Sequence, residues 1–185
     1  MEVLLLSPIE IILLALLYEK DLYGYEIENI IEERKIRNWT KIGFSSIYNS
    51  LNNLEKKGLA GWRMESEYGS PERKVYFIKD VAKESMPALI KQLLQSPQRV
   101  YSEFSIGLAF SNLLTKEEVR KSLLQYRESL DKRQQGLLKT YEEQPLAHEI
   151  LHVKALFTHP LKLIAAEMEW IDDLVNEMKE DPHDH

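Results

Sequence analysis

Phe44-Ser45-Ser46-Ile47-Tyr48-Asn49-Ser50-Leu51-Asn52-Asn53-Leu54-Glu55-Lys56-Lys57-Gly58 is the stretch on which the fold turns. Ile47, Leu51 and Leu54 recur at i, i+4 and i+7, one apolar stripe of a helix over roughly Phe44–Lys57. The other face carries Ser45, Ser46, Tyr48, Asn49, Asn52 and Asn53. Lys56 and Lys57 fall in the last turn, where cations suit the helix dipole, and Gly58 is a ready stop. Such a helix docks by one side and presents short hydrogen-bonding groups by the other, the division of labour needed to enter a DNA major groove.

The flanking sequence supplies something to dock on. Ser7-Pro8-Ile9-Glu10 combines a cap, a proline at the first helical position and an acid three residues after the cap. It predicts a helix to about Tyr18, almost wholly buried. Glu19-Lys20-Asp21 is a polar turn. A second helix follows Gly24, with Ile27, Ile30 and Ile31 inside and Glu26, Glu28, Glu32 and Glu33 outside. Residues 35–43 form a polar connection. After Gly58 the period changes to 2: a strand over Trp62–Glu67, a turn over Tyr68–Glu72 and a strand over Arg73–Ile78. This hairpin is the only convincing β signal. Three helices followed by a hairpin is the order of a winged helix-turn-helix.

Everything after Asp80 reads as helix: Lys83–Leu94, closed by Ser96-Pro97; a short helix over about Val100–Leu113; and a long one opened by the capping box at Thr115 and running to about Tyr141. Leu161, Ile164, Met168, Ile171, Val175 and Met178 then step by three and four, a heptad seam. Such a seam meets either a second copy or another helix of its own chain; the expectation adopted is a dimer interface through Leu161, Ile164, Met168, Ile171 and Val175. The expected fold class is mainly α with a small β-hairpin wing, an N-terminal winged helix-turn-helix followed by a C-terminal antiparallel helical dimerisation domain. The corresponding division is 1–80 for DNA binding, 81–114 for connecting helices, 115–180 for dimerisation and a candidate effector site, and 181–185 as a disordered tail.

A net charge of −6 is unpromising for a DNA-binding protein until its distribution is examined. Residues 34–63 hold Arg34, Lys35, Arg37, Lys41, Lys56, Lys57 and Arg63 against Glu55 alone, a local +6, whereas residues 81–185 sum to −4. With no cysteine, disulfides and thiolate zinc sites are excluded. An acid at position 2 and the absence of a basic leader argue against a secretory signal, and the first apolar run is too short and interrupted to span a bilayer. The expected location is cytoplasmic, with no membrane partner.

Several of these segments, taken in order, resemble the PadR-type transcriptional regulators. Leu13-Leu14-Ala15-Leu16-Leu17 followed by Leu22-Tyr23-Gly24-Tyr25-Glu26-Ile27 is similar to the family's opening. Ser46-Ile47-Tyr48-Asn49 through Lys57-Gly58-Leu59 resembles its recognition helix, and Arg73-Lys74-Val75-Tyr76 its wing. Ala166-Glu167-Met168-Glu169-Trp170-Ile171, with Glu103-Phe104-Ser105, is similar to the longer subgroup that includes the AphA-type activators. Two positions depart: Ser70 precedes Pro71 where arginine is common, and Phe44 stands where proline is common. The resemblance implies a PadR-like repressor that binds a pseudo-palindromic operator in double-stranded DNA as a homodimer and responds to a small aromatic effector. The candidate DNA contacts are Lys41, Ser45, Ser46, Tyr48, Asn49, Arg73 and Lys74. Tyr101, Phe104 and Trp170 are the candidate effector pocket, with Phe157 as a further neighbour.

One motif points elsewhere. His148-Glu149-Ile150-Leu151-His152 matches the metalloprotease pattern, in which one helix carries two imidazoles on one face and Glu149 serves as base. The extended motif lacks its third ligand, because Ala155 and Thr158 stand where glycine and histidine belong. The alternative it supports is a helical metal-binding protein, sensor or hydrolase. The reading adopted is a non-enzyme without metal or cofactor, and no paired carboxylates, phosphate loop or nucleophile–base set contradicts it.

Overall fold

In a computed structural model of the chain, which describes residues 6–66, 72–97 and 102–180, helix α1 (Pro8–Glu19) opens with a reciprocal cap. The Glu10 N–H donates to Ser7 Oγ at 3.3 Å and the Ser7 N–H to Glu10 Oε2 at 2.7 Å, satisfying two amides that would otherwise lack partners. A two-residue strand β1 (Leu22–Tyr23) leads into α2 (Gly24–Glu33). A 3-10 turn (Ile36–Asn38) then precedes α3 (Phe44–Lys56), strands β2 (Ala60–Glu65) and β3 (Arg73–Ile78), and α4 (Asp80–Gln95). The core of this first unit, residues 1–99, is the seam where Leu13, Leu14 and Leu17 of α1 meet Ile27 and Ile31 of α2 and Ile47, Leu51 and Leu54 of α3. All eight side chains are fully buried, each worth about 1.5–3 kcal/mol relative to exposure.

The sheet is antiparallel, in the order β1-β3-β2, with Leu22 opposite Tyr76 and Tyr23 opposite Val75 on one edge of β3. On its other edge Ala60 pairs with Ile78 and Glu65 with Arg73. The hairpin strand expected from Trp62 begins two residues earlier, and its far end and most of the turn, residues 67–71, lie outside the described residues. The supposedly polar connection 35–43 is anchored by two buried isoleucines, Ile36 and Ile42. Lys35, in the left-handed region at φ 53°, turns the chain out of α2.

The second unit, residues 100–185, is helical throughout its described part. It comprises α5 (Glu103–Ala109), a 3-10 turn (Ser111–Leu113), α6 (Lys116–Glu142), the short α7 (Pro145–Glu149) and α8 (Leu151–Glu180). The Thr115–Glu118 box caps α6, with the Thr115 N–H donating to Glu118 Oε2 at 2.8 Å. Helices α6 and α8 run antiparallel, since Tyr141 meets Phe157 while Tyr126 meets Glu167. Leu123 and Leu130 of α6 bury Ile164, Ile171 and Val175 of α8. Two ties cross the pair: Tyr126 Oη donates to Glu167 Oε1 at 2.9 Å and Arg127 Nε to Asp172 Oδ1 at 2.5 Å. Helix α8 begins at Leu151, ten residues before the heptad seam. The expected tail, 181–185, lies outside the described residues. No helix among the described residues is long and apolar enough to cross a membrane.

Candidate nucleic-acid interface

Helix α3 is held at both ends by charge. At its start, Arg37 Nε donates to the Ile42 carbonyl at 3.0 Å while the same guanidinium binds Glu28 at 2.5 Å and Glu32. At its end, Lys57 Nζ reaches Glu10 Oε1 at 2.7 Å. Burial pushes the Glu10 carboxyl up, but Lys57 and the Ser7 amide and hydroxyl outweigh it and hold Glu10 below its ordinary value. The carboxylate that caps α1 therefore also secures the far end of α3, which keeps the exposed face of α3 at a fixed height above the core.

That face carries Ser45, Asn49, Asn52 and Asn53, all exposed, beside the half-buried Tyr48. Gly43 caps the helix without a side-chain acceptor, so backbone N–H groups at the start of α3 face outward in the arrangement that suits phosphate. Ser46 is half-buried, and its Oγ accepts the Gly43 N–H at 3.2 Å, which ties this hydroxyl to the helix start. Phe44, at the position where the resemblance expects proline, is exposed and packs its ring on Tyr48 with centroids 5.4 Å apart.

The local positive charge is smaller than the sequence count. Arg34 pairs with Glu19, Arg37 with Glu28 and Glu32, Lys57 with Glu10, and Arg63 with Asp21 and Glu65. Among the described residues Lys35, Lys41 and Lys56 form no ion pair, and neither do Arg73 and Lys74 on the wing strand. The two wing cations rest on aromatic rings. The Arg73 guanidinium lies 5.6 Å from the Tyr25 centroid and the Lys74 ammonium 4.0 Å from that of Trp62. Strand β1 makes this arrangement possible by tying the start of α2 to β3. A cleft of about 300 Å³ results, lined by Tyr23, Gly24, Tyr25, Tyr48, Tyr76 and the two wing cations. Of the candidate DNA contacts, Tyr48, Arg73 and Lys74 converge here, whereas Lys41, Ser45, Ser46 and Asn49 lie outside the cleft lining. Tyr23 and Tyr25 were missed as site residues; the Tyr-Gly-Tyr run at the head of α2 was the available signal.

In the second unit, Ile164, Ile171 and Val175 are buried against α6 within the chain, while Leu161 and Met168 stay half-buried. Exposed Leu156, Leu163 and Trp170 recur every seven residues along the same helix. Phe104 and Trp170 do meet, edge to face at 6.2 Å, with Phe104 stacked on Tyr126 at 4.1 Å. Tyr101 lies outside the described residues, and Phe157 packs on Tyr141 instead. His148 and His152, both exposed, belong to different helices, because α7 ends at Glu149 and α8 starts at Leu151. The single continuous helix that the metalloprotease geometry needs is not formed. Among the described residues no three His, Cys, Asp or Glu side chains converge as a metal site.

Residues 13–86 match the PadR-like family of transcriptional regulators. PadR of Bacillus subtilis, solved in complex with operator DNA, superposes with a TM-score of 0.74 at 19% identity, over 93% of this chain and 99% of that one. The same protein in complex with p-coumaric acid gives 0.75, at the same identity and coverage. The virulence activator AphA of Vibrio cholerae gives 0.69 at 18% identity, over 92% of this chain and 98% of that one. No curated protein matches the chain in sequence. The neighbours share the arrangement of a winged helix with a C-terminal helical region.

Proposed function

We propose that this chain, whose residues 13–86 match the PadR-like family of transcriptional regulators, is a cytoplasmic, non-enzymatic repressor that binds a pseudo-palindromic operator in double-stranded DNA as a homodimer. The observation that carries the reading is the division of α3: its apolar stripe is spent on the core, while Ser45 and Asn49 are exposed beside cations that form no ion pair among the described residues. Asn49 suits bidentate recognition of adenine, and Ser45 either a base edge or a phosphate. Lys41, Arg73 and Lys74 neutralise backbone phosphates.

The dimer forms through α8, where Leu161 and Met168 are flanked by the exposed Leu156, Leu163 and Trp170; the inner seam residues Ile164, Ile171 and Val175 stiffen the helix that presents them. The effector is a small aromatic molecule, of the class of the p-coumaric acid with which Bacillus subtilis PadR was solved in complex. The ring cluster of Phe104, Tyr126 and Trp170, with Tyr101 as a candidate neighbour in sequence, is its seat. An effector that binds one dimer geometry better than another alters the spacing of the two recognition helices and releases the operator.

The test is selection from a random duplex pool by the purified protein, sequenced at two salt concentrations. An enriched inverted repeat with steep salt dependence is expected. No enrichment, and weak binding even at low salt, would refute the reading.

A further inference from the structure

We infer that the cleft between the head of α2, Tyr48 of α3 and strand β3 seats one backbone phosphate of duplex DNA, with Arg73 and the Tyr25 and Tyr48 hydroxyls as its donors. This deepens the DNA-binding reading and rests on it.

The chemistry of the lining selects the ligand. In a chain of net charge −6, the lining of this cleft among the described residues holds two cations and no carboxylate, and Glu65, opposite Arg73, is taken by Arg63, so an anion is attracted and a cation repelled. Its volume, about 300 Å³, is on the scale of a phosphodiester with its flanking sugars. Arg73 is held for the task without being neutralised. Its guanidinium lies over Tyr25, and Tyr25 is stacked on Tyr23 with centroids 5.6 Å apart and planes 15° from parallel. An aromatic platform orients the planar fork yet leaves its N–H donors for a two-oxygen acceptor, which an ion pair would not. Tyr76, buried, closes the floor, and burial pushes its hydroxyl above its ordinary value, so it stays a neutral donor. Gly24 makes room for the Tyr48 ring: a Cβ there would come within 2.9 Å of Tyr48 Oη and the phenol would have to shift. The absence of that Cβ lets the phenol lie across the head of α2. Because Tyr48 directly precedes Asn49 on α3, a phosphate seated here lies beside the bases that α3 reaches, and fixes the register of reading as well as adding affinity.

The test uses the full-length protein and the duplex it selects, with each phosphate replaced in turn by an uncharged methylphosphonate. For the wild type, neutralising one position per half-site is expected to weaken binding about tenfold. For Arg73→Gln the same replacement costs less than about twofold, because the partner charge is already gone. Tyr25→Phe retains the platform and gives a smaller loss at that position; Tyr25→Leu, which removes the platform, approaches Arg73→Gln. Both side chains are exposed, so folding is not at stake. If Arg73→Gln shows the wild-type penalty at every neutralised position, the cradle is overturned while DNA binding stands. A wild type that binds no duplex overturns both.

Discussion

Replacing Lys74 by alanine tests how charge is deployed on this surface. Lys74 sits on β3 opposite Met64, forms no ion pair among the described residues and rests on Trp62, so its charge is available to a phosphate. Arg63, on the adjacent strand, is the control, because its guanidinium is bonded to Asp21 at 2.6 Å and Glu65 at 2.5 Å. Each neutralised phosphate contributes about 0.9 to the slope of log affinity against log salt, and the proposed dimer loses two with Lys74→Ala, so the slope flattens by about 1.8. Between about 50 and 200 mM salt the wild type therefore loses about twelvefold more affinity than the variant. Arg63→Ala removes a charge of the same sign from the same hairpin and leaves the slope nearly unchanged. Fluorescence anisotropy on the selected duplex at four or five salt concentrations reads both. Equal slopes for wild type and Lys74→Ala, or an equal flattening by Arg63→Ala, would show that ion pairing within the chain does not decide which cations meet DNA.

Asn49→Ala is expected to relax base preference at one position per half-site by about 1–3 kcal/mol while leaving the salt slope alone, as read by repeating the selection with the variant. Glu10→Gln removes the ion pair with Lys57; because that lysine is about one-third exposed, the expected cost is about 1–3 kcal/mol, below that of breaking a fully buried pair, measured by urea unfolding. The Glu10 carboxyl lies below its ordinary value, so the wild-type advantage is complete at neutral pH. It is lost as pH falls below the unfolded carboxylate value of about 4.3 and through the lower folded one; a gap between wild type and variant that widened toward acid would contradict the assignment. Ile171→Ala, at a fully buried position between α6 and α8, should cost about 2–5 kcal/mol, seen as loss of helical signal at lower urea; a cost under about 0.5 kcal/mol would mean that the seam is not packed within the chain.

Period and capping made most of the helices legible, because Ser7–Glu10 and Thr115–Glu118 act over three residues and the isoleucine stripe of α2, Ile27 to Ile31, over five. Strand β1 was not, since two residues carry no period and Leu22–Tyr23 become a strand only by lying against β3. The same limit applied to charge. The cations of residues 34–63 could be counted, but the acids that neutralise Arg34, Lys57 and Arg63 lie 15, 47 and 42 residues away. A heptad seam likewise announces an apolar neighbour without saying whose: Leu123 and Leu130 of the same chain cover Ile164, Ile171 and Val175, leaving the next stripe exposed. The His-Glu-x-x-His pattern assumed an unbroken helix, and the break after Glu149 removes that assumption.

The two residues of β1 also constrain how such a protein is controlled. By fastening the head of α2 to the wing strand, they make hairpin and α3 a single tool, braced by Arg37 at one end of α3 and Lys57 at the other. A tool of fixed outline offers a regulatory signal little to reshape. Under the proposed effector control, affinity is then adjusted as a locksmith would do it, by moving the hand and leaving the key uncut.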